Sequence, residues 1–473
     1  MVELYFRHVD MNWVRRTDAY RWLLCEDMSY VITSFGNSAD LVAAHPHHCS
    51  WETLNPLYSN MRIPFALLLC SSSVALSSAM TTKAKGGSKK HVGGSSDNWK
   101  PKLLNVGLAA VDFVATVDHF PDPDEKMRSS SLLIEGGGNA GNTACAMGRL
   151  SPDFVQKVSL CTAVGTDANG QTILDGFSAD GNNVNLIAER YEGNSPFSYI
   201  LSTDIDGENT RTCIHQPSSG DMSIEFIEKE LKNLKEYTSV HFDARYPKAA
   251  VALSKKCAEL GVPYSLDVER PREGLKELLE SATVVICNAN YCAGVLGDKA
   301  SDSAAENLRT VMKKEAPNAK LAVTTLGAKG SCLILLDSEE DDSEDEVILK
   351  EDDDSNIPSV RFDKAQKALF CSSFKGYNVV DTTGAGDAFI GGFLSSLWYA
   401  ASMQPGQKDS TVAIPTDKKV LAHALRIASR VAGEKVEEMG ARKGLPYGSK
   451  DIFIQTEMES IKKATGAPAL TSA

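Results

Sequence analysis

The sequence predicts an α/β fold, with a mostly parallel central sheet, helices on both faces and a small β lid. From about Pro101, short apolar β-branched runs alternate with amphipathic stretches at helical spacing. That βαβα order implies parallel strands joined by crossover helices. Two stretches, 113–134 and 196–215, instead alternate apolar and polar residues with a period of two, as exposed antiparallel strands do. Glycine-rich turns follow strand-like runs near both ends of the region, and ligands of open α/β sheets bind at the carboxyl ends of strands.

Residues 1–100 form an N-terminal extension of different character. Residues 1–60 hold three of the five Trp and show no clean period. Residues 61–80 carry one basic residue, an apolar stretch and then small residues, the pattern of a targeting segment. This stretch is too short and Ser-rich for a membrane span. It lies inside the chain, which a translation start at Met61 or Met80 would explain. Residues 83–100 read as a flexible Gly/Ser linker.

The main domain spans 101–447, with a C-terminal tail at 448–473. Its predicted strands are Leu103–Leu108, Val158–Val164, Val240–Phe242, Tyr264–Val268, Val284–Cys287 and Leu321–Thr325. Helices fall at Gln171–Asp180, Lys248–Leu260 and Ala304–Lys314. Residues 337–356 are so acidic, with twelve acids and one Lys between Asp337 and Asp354, that a disordered surface insertion is expected.

The most informative stretch runs from Val379 to Phe389. Val379 and Val380 read as the end of a buried strand, and Thr382-Thr383-Gly384-Ala385-Gly386 as a tight turn. Asp387 opens an apolar run to Leu397, a helix expected to pack tightly on a sheet. The glycines allow close approach of a ligand to N–H groups at a helix N-terminus, which hold an anion without side-chain charge. A carboxylate there repels phosphate unless it takes the proton of an attacking hydroxyl. The plainer reading is an Asp-capped turn.

A second motif, Gly136-Gly137-Gly138-Asn139-Ala140-Gly141-Asn142, precedes a small-residue helix ending near Leu150. Its backbone can touch a ligand, and the Asn139 and Asn142 amides match sugar hydroxyls. A flexible turn is the alternative. Asp112 follows the first strand; as an isolated residue it reads equally as a cap or loop carboxylate.

The first motif closely resembles the C-terminal signature of the ribokinase-like (PfkB) carbohydrate kinases, Asp-Thr-x-Gly-Ala-Gly-Asp. The second resembles their N-terminal signature, Gly-Gly-x-x-x-Asn. Within that family, Val240–Arg245, Ser265–Glu273, Arg426–Lys435 and Ser195–Ile200 with Arg211 and Thr212 resemble the ketohexokinase branch. Glu192–Phe197 and Thr210–His215 are similar to plant-type PfkB carbohydrate kinases. The resemblance implies a ribokinase-like three-layer α/β/α fold and ATP-dependent phosphoryl transfer to a hydroxyl of a small fructose- or ribose-like sugar. It makes Asp387 the base and the backbone at Gly384, Ala385 and Gly386 the anion hole. It assigns Asp112, Gly138, Asn139 and Asn142 to the sugar. It assigns Thr325, Gly327 and Gly330 to the nucleotide, and Asp381 and Thr383 to a monovalent cation such as K⁺. Mg²⁺ would act largely through water, and a homodimer would form through the lid. Arg211, in the lid, either meets a negative group or is a solvated strand Arg.

Two departures stand out. Tyr291 in Asn288-Ala289-Asn290-Tyr291 occupies the place where many members carry the Glu of Asn-x-x-Glu, so no carboxylate acts there. Ser429 or its neighbours stand where adenine is approached, which leaves the nucleotide donor open. A nucleoside, vitamin or sugar-phosphate kinase on this fold is the alternative, since fold does not set substrate. A catalytically silent binding or scaffold subunit is a third reading, against which the intact Asp387 and glycines argue.

The net charge of −13 and the absence of a Lys/Arg stripe in the core exclude nucleic acid as a natural partner. Eleven scattered Cys with no Cys-x-x-Cys pair fit free thiols in a reducing compartment, cytoplasmic or plastid. Cys145, Cys161 and Cys287 lie in apolar runs and are expected in the core.

Overall fold

The structure is a computed structural model. It describes residues 23–25, 28–35, 38–43, 100–151, 154–179, 183–205, 208–336, 346–350, 356–404 and 412–466. The chain divides into two compact units, Met1–Gly93 and Gly94–Ala473. In the first, β1 (Leu23–Cys25), β2 (Met28–Phe35) and β3 (Ser38–Ala43) form an antiparallel meander. The expected targeting segment at 61–80 and the linker at 83–100, apart from Lys100, lie outside the described residues.

The second unit opens with β4 (Lys102–Val106), β5 (Ala110–Thr116), β6 (Ser131–Gly137), α1 (Asn139–Leu150), β7 (Lys157–Gly165), α2 (Ala168–Ala179) and β8 (Val184–Tyr191). It continues with β9 (Phe197–Ile205), β10 (Glu208–Gln216), α3 (Ile224–Glu230), β11 (Ser239–Phe242), α4 (Pro247–Leu260), β12 (Tyr264–Val268) and α5 (Leu275–Ser281). Then follow β13 (Val284–Asn288), α6 (Ala289–Leu296), α7 (Ala304–Glu315), β14 (Leu321–Thr325), β15 (Ser331–Leu335), β16 (Glu346–Leu349), β17 (Val360–Asp363) and β18 (Ala368–Cys371). Helices α8 (Ala385–Ser402), α9 (Lys418–Lys435) and α10 (Ile452–Ala464) close the chain.

Seven strands pair in parallel in the order β8-β7-β4-β11-β12-β13-β14, and β15, β18, β17 and β16 extend the sheet antiparallel. Because strand side chains alternate, a sheet covered on both sides must be apolar at successive positions. In β13, Val284 and Ile286 face one core while Val285 and Cys287 face the other. In β14, Leu321 and Val323 oppose Ala322 in the same way. Helices α1, α2, α8, α9 and α10 cover the first face, and α3 to α7 the second. Cys145, Cys161 and Cys287 are buried in these cores, as expected.

The lid is a separate four-stranded sheet in the order β10-β9-β5-β6. Its central pair, β5 with β9, is parallel, and it joins two hairpins that are distant in sequence. One cross-strand row holds Ile134, Phe113, Tyr199 and Ile214. The next row holds Glu135, Asp112, Ser198 and His215. One face of the lid is therefore apolar and the other polar. Strand pairing stops between Thr116 and Ser131, where Pro121 and Pro123 cannot donate to a ladder.

Three expectations need correction. Val379 and Val380 do not end a strand: Val379 is 44 % exposed, and the N–H groups of Val380 and Asp381 both bond Val436 O, just beyond α9. Helix α8 packs tightly in the first core, as expected, with α1 and α9 on either side of it. A Cβ at Gly391 would lie 2.5 Å from Ala146 Cβ of α1, and one at Gly392 3.0 Å from Ala428 Cα of α9. Within the acidic insertion expected to be disordered at 337–356, Glu346–Leu349 forms β16, the edge strand, paired with β17. The C-terminal tail at 448–473 contains α10, whose Ile454, Met458 and Ile461 are buried in the first core. Among the described residues no helix is long and apolar enough to cross a membrane.

Candidate active site

A cavity of about 740 Å³ opens between the carboxyl ends of the parallel strands and the polar face of the lid. Of the residues singled out from sequence, Asp112, Gly138, Asn139, Asn142, Arg211, Thr325, Thr383, Gly384, Gly386 and Asp387 line it. Asp381, Ala385, Gly327 and Gly330 do not.

Helix α8 starts at the floor of this cavity. Gly384 caps it at φ 75°, a left-handed conformation that L side chains resist, and a Cβ there would meet Ala441 at 2.9 Å. Gly386 is needed for another reason. Its Cβ direction is open, so a hydrogen there leaves the space above the helix end to a ligand. The Ala385 N–H is already used by Thr382 O at 3.2 Å, so the amides with no intrahelical acceptor are those of Gly386 and Asp387. These two, at the positive end of the helix, can hold an anion.

Asp387 sits in the first turn of α8, and its Oδ2 accepts from Asn142 Nδ2 at 2.9 Å. Asn142 Oδ1 in turn accepts from Arg442 Nε at 3.0 Å, which fixes the direction of the amide. Arg442 also donates to Gly137 O at 2.8 Å and stacks on the Phe177 ring. Burial first, and then the Asp267 carboxylate, push the Asp387 carboxyl well above the ordinary range, against the hydrogen bond from Asn142. A carboxylate so raised is a stronger base when ionised, and it stands beside an anion site.

The opposite wall carries a network of alternating charges. Asp243, just beyond β11, accepts from Leu108 N at 2.8 Å, Ala140 N at 3.1 Å and Arg245 N at 3.0 Å, and so ties the start of α1 to the sheet. Arg245 donates to Asn139 Oδ1 at 3.2 Å and to Glu269 at 3.1 Å, and Asn139 Nδ2 donates to Asp267 at 3.4 Å. Burial, then the charges of Glu269 and Asp243, raise the Asp267 carboxyl to about 7. Asp112 belongs to the lid strand β5, where its carboxylate leans on Gly137. Burial raises its pKa, partly offset by Ser198 and Arg442.

At the base of the turn, Asp381 Oδ1 accepts from Thr383 N at 2.8 Å and Thr383 Oγ1 at 2.7 Å, and its Oδ2 accepts from Gly440 N at 2.8 Å. Although burial opposes ionisation, the hydrogen bonds from Thr383 and the nearby Lys435 hold its pKa below the usual value. Arg211 reaches from the lid to Thr382 Oγ1 and lies 3.5 Å from Asp381. Arg211 thus links lid to turn, although its side chain stays 34 % exposed.

Thr325 lines the cavity, whereas Gly327 and Gly330 shape the loop beside it through Leu326 N to Gly330 O at 2.8 Å. Tyr291 turns into the second core and donates to Glu315 at 2.7 Å, while Asn288 caps α6 and faces the cavity. Sequence reasoning missed Asp243, Arg245, Asp267, Glu269 and Arg442. For the first four, a charged residue at the carboxyl end of a parallel strand was the available signal. Arg442 had none, because its role depends on contact with a helix residue, Asn142, 300 positions earlier.

Comparison with known proteins agrees with this architecture. Residues 100–447 match the model of the pfkB family of carbohydrate kinases. A ribokinase of Lactococcus lactis is 22 % identical over 360 residues, covering 76 % of this chain and 98 % of its own. The ketohexokinase of Mus musculus is 24 % identical over 345 residues, covering 71 % and 95 %. Among solved structures, a ribokinase from Giardia lamblia superposes with a TM-score of 0.59 at 19 % identity, covering 78 % of this chain and 99 % of its own. The ribokinase of Arabidopsis thaliana, solved with ribose and ATP, gives 0.55 at 18 % identity, covering 77 % and 99 %. The fold is thus ribokinase-like α/β.

Proposed function

Because the chain belongs to the pfkB family of carbohydrate kinases, we propose that it transfers the γ-phosphoryl group of ATP to a hydroxyl of a small unphosphorylated sugar, with Asp387 as the base. The observation that supports this best is Asp387 itself, a carboxylate of raised pKa held by Asn142 beside the open amides of Gly386 and Asp387. A sugar hydroxyl between Asp387 and those amides would lose its proton to the carboxylate as it attacks. The amides would stabilise charge on the transferred group. Asp112, Gly138, Asn139 and Asn142 would orient the sugar from the lid side, and Thr325 with the Gly327–Gly330 loop would receive the nucleotide.

Magnesium fits this site as a companion of the nucleotide. It prefers one or two carboxylates plus phosphate oxygens and water; Asp267 and Glu269 line the cavity but already accept from Asn139, Arg245 and Arg272, so contact would run through water. Bound there, it would neutralise phosphate charge.

A second copy of the chain is the partner we infer for the apolar face of the lid. Leu132, Ile134, Tyr199 and Ile214 are 51–60 % exposed on it, and the row Ile134, Phe113, Tyr199, Ile214 crosses all four strands. Contiguous exposed apolar rows of this kind mark association surfaces. Sedimentation of the wild type and of Tyr199→Lys tests this, with a dimer expected only for the first.

One observation favours a rival substrate. Arg211, Arg245 and Arg270 all line the cavity, a cationic set that suits a phosphorylated sugar. A coupled ADP-release assay comparing fructose, ribose, fructose 6-phosphate and tagatose 6-phosphate decides between them. The proposal expects the unphosphorylated sugars to give the higher kcat/KM. A preference of about a hundredfold for the phosphates, abolished in Arg211→Ala, would replace it with the sugar-phosphate reading.

A further inference from the structure

The expected ligands of a monovalent cation, Asp381 and Thr383, do not form an open cage. Both carboxylate oxygens of Asp381 already accept protein hydrogen bonds, and the Thr383 hydroxyl donates its proton to one of them. A cation is nevertheless present, and it belongs to the chain. Lys435, the last residue of α9, is 0 % exposed. Its Nζ donates to Asp381 O at 2.7 Å and to Glu438 O at 3.2 Å. An ammonium is rarely so enclosed unless oxygen acceptors surround it.

The two carbonyls lie on the two segments that frame the phosphate-holding turn. Val380 and Asp381 bond Val436 O, and Gly440 bonds the Asp381 carboxylate, so residues 380–384 and 436–441 form one unit. Lys435 bridges these segments through Asp381 O and Glu438 O, two backbone carbonyls that could otherwise coordinate a small cation. It places one positive charge on the carbonyl of Asp381, the residue that opens the turn leading to Gly386 and Asp387, with no requirement for an ion from solution.

We propose that the Lys435 ammonium is a built-in replacement for the free monovalent cation, acting as a positioning residue for the anion-holding turn. The inference rests on the reading of that turn as a phosphate site. If Lys435 does this work, the wild type needs no K⁺. Removing the side chain should open a site that small cations fill.

The test uses the full-length protein at constant ionic strength in tetramethylammonium chloride, titrated with K⁺. The readouts are ADP release, the thermal midpoint with a non-hydrolysable ATP analogue, and binding of Tl⁺ by thallium NMR. Wild type should change in rate by less than about twofold and show no saturable Tl⁺ binding. Lys435→Ala should lose at least about tenfold in kcat without K⁺ and regain most of it with K⁺ or ammonium, with a K⁺-dependent rise in midpoint. Lys435→Met, which fills the space, should not recover. Saturable Tl⁺ binding to wild type with tenfold or greater activation by K⁺ would overturn the inference. A folded Lys435→Ala that no small cation restores would overturn it too, since a merely structural lysine behaves that way. Should Lys435→Ala fail to fold, the wild-type measurements still decide. If no sugar is phosphorylated, the functional reading fails while Tl⁺ binding and the midpoint still judge the cation.

Discussion

Replacing Asn142 by Ala tests the electrostatics of the proposed base. The Asn142 amide donates to Asp387 at 2.9 Å, and Arg442 fixes its orientation from behind at 3.0 Å. This bond favours the ionised form of Asp387, against burial and the Asp267 charge, which favour the protonated form. A hydrogen bond to a charged group contributes about 1.5–3 kcal/mol, which corresponds to roughly ten- to a hundredfold in an ionisation equilibrium. Loss of the bond should therefore raise the Asp387 pKa further. The acid limb of kcat/KM against pH, which reports the free enzyme, should move to higher pH. On the acid side of the limb the variant should lose roughly ten- to a hundredfold more activity than on the alkaline plateau, where Asp387 is ionised in both enzymes. The assay is coupled ADP release from pH 5 to 9 with saturating nucleotide, and circular dichroism monitors the fold. A variant with uniformly reduced activity and an unmoved acid limb would show that Asn142 orients substrate only. A limb displaced to lower pH would refute the electrostatic argument outright.

Asp387→Asn should retain the fold and nucleotide binding while turnover falls by about 10²–10⁴, the usual effect of removing a general base; unchanged turnover would remove Asp387 from the chemistry. Gly391→Val should destabilise the domain by about 1–3 kcal/mol in urea unfolding, because its Cβ would lie 2.5 Å from Ala146 Cβ; an unchanged midpoint would mean that α1 and α8 separate easily. Asp267 carries a carboxyl raised from 3.8 to about 7, so the folded state binds its proton more tightly than the unfolded state. Its contribution to stability is therefore greatest below pH 4 and is lost as pH rises towards 7. Asp267→Asn should abolish that decline, gaining in melting temperature over wild type more at pH 8 than at pH 5. An equal difference at both values would contradict the raised pKa.

Most strands of the central sheet were readable because both their faces are buried, which makes every position apolar and the period plain. Tyr264–Val268 and Leu321–Thr325 appear with the expected bounds. The lid was readable for the opposite reason: its alternation is strict because one face is polar. What escaped was structure created by partners. Val379 and Val380 look like a strand but bond to the end of α9, and Glu346–Leu349 is held by a neighbour that its acidic composition conceals. At the site, glycines and asparagines announced themselves through local motifs. Arg442 and Lys435 act across long sequence separations, and a basic residue in a polar segment gives no sign of being buried.

The contact between Asn142 and Arg442 has a consequence for the order in which the molecule is made. The two residues are 300 apart, and Glu135 and Ala441 pair across 306. During synthesis, β4, the lid and α1 emerge early, yet the amide that holds Asp387 has nothing to orient it until the segment after α9 has left the ribosome. Contacts of such separation form late and slowly. Interrupted chains ending before residue 442 would thus display a half-built cleft with its carboxylates and glycine loop in place but unlocked. Competence would then be conferred only at the end of translation.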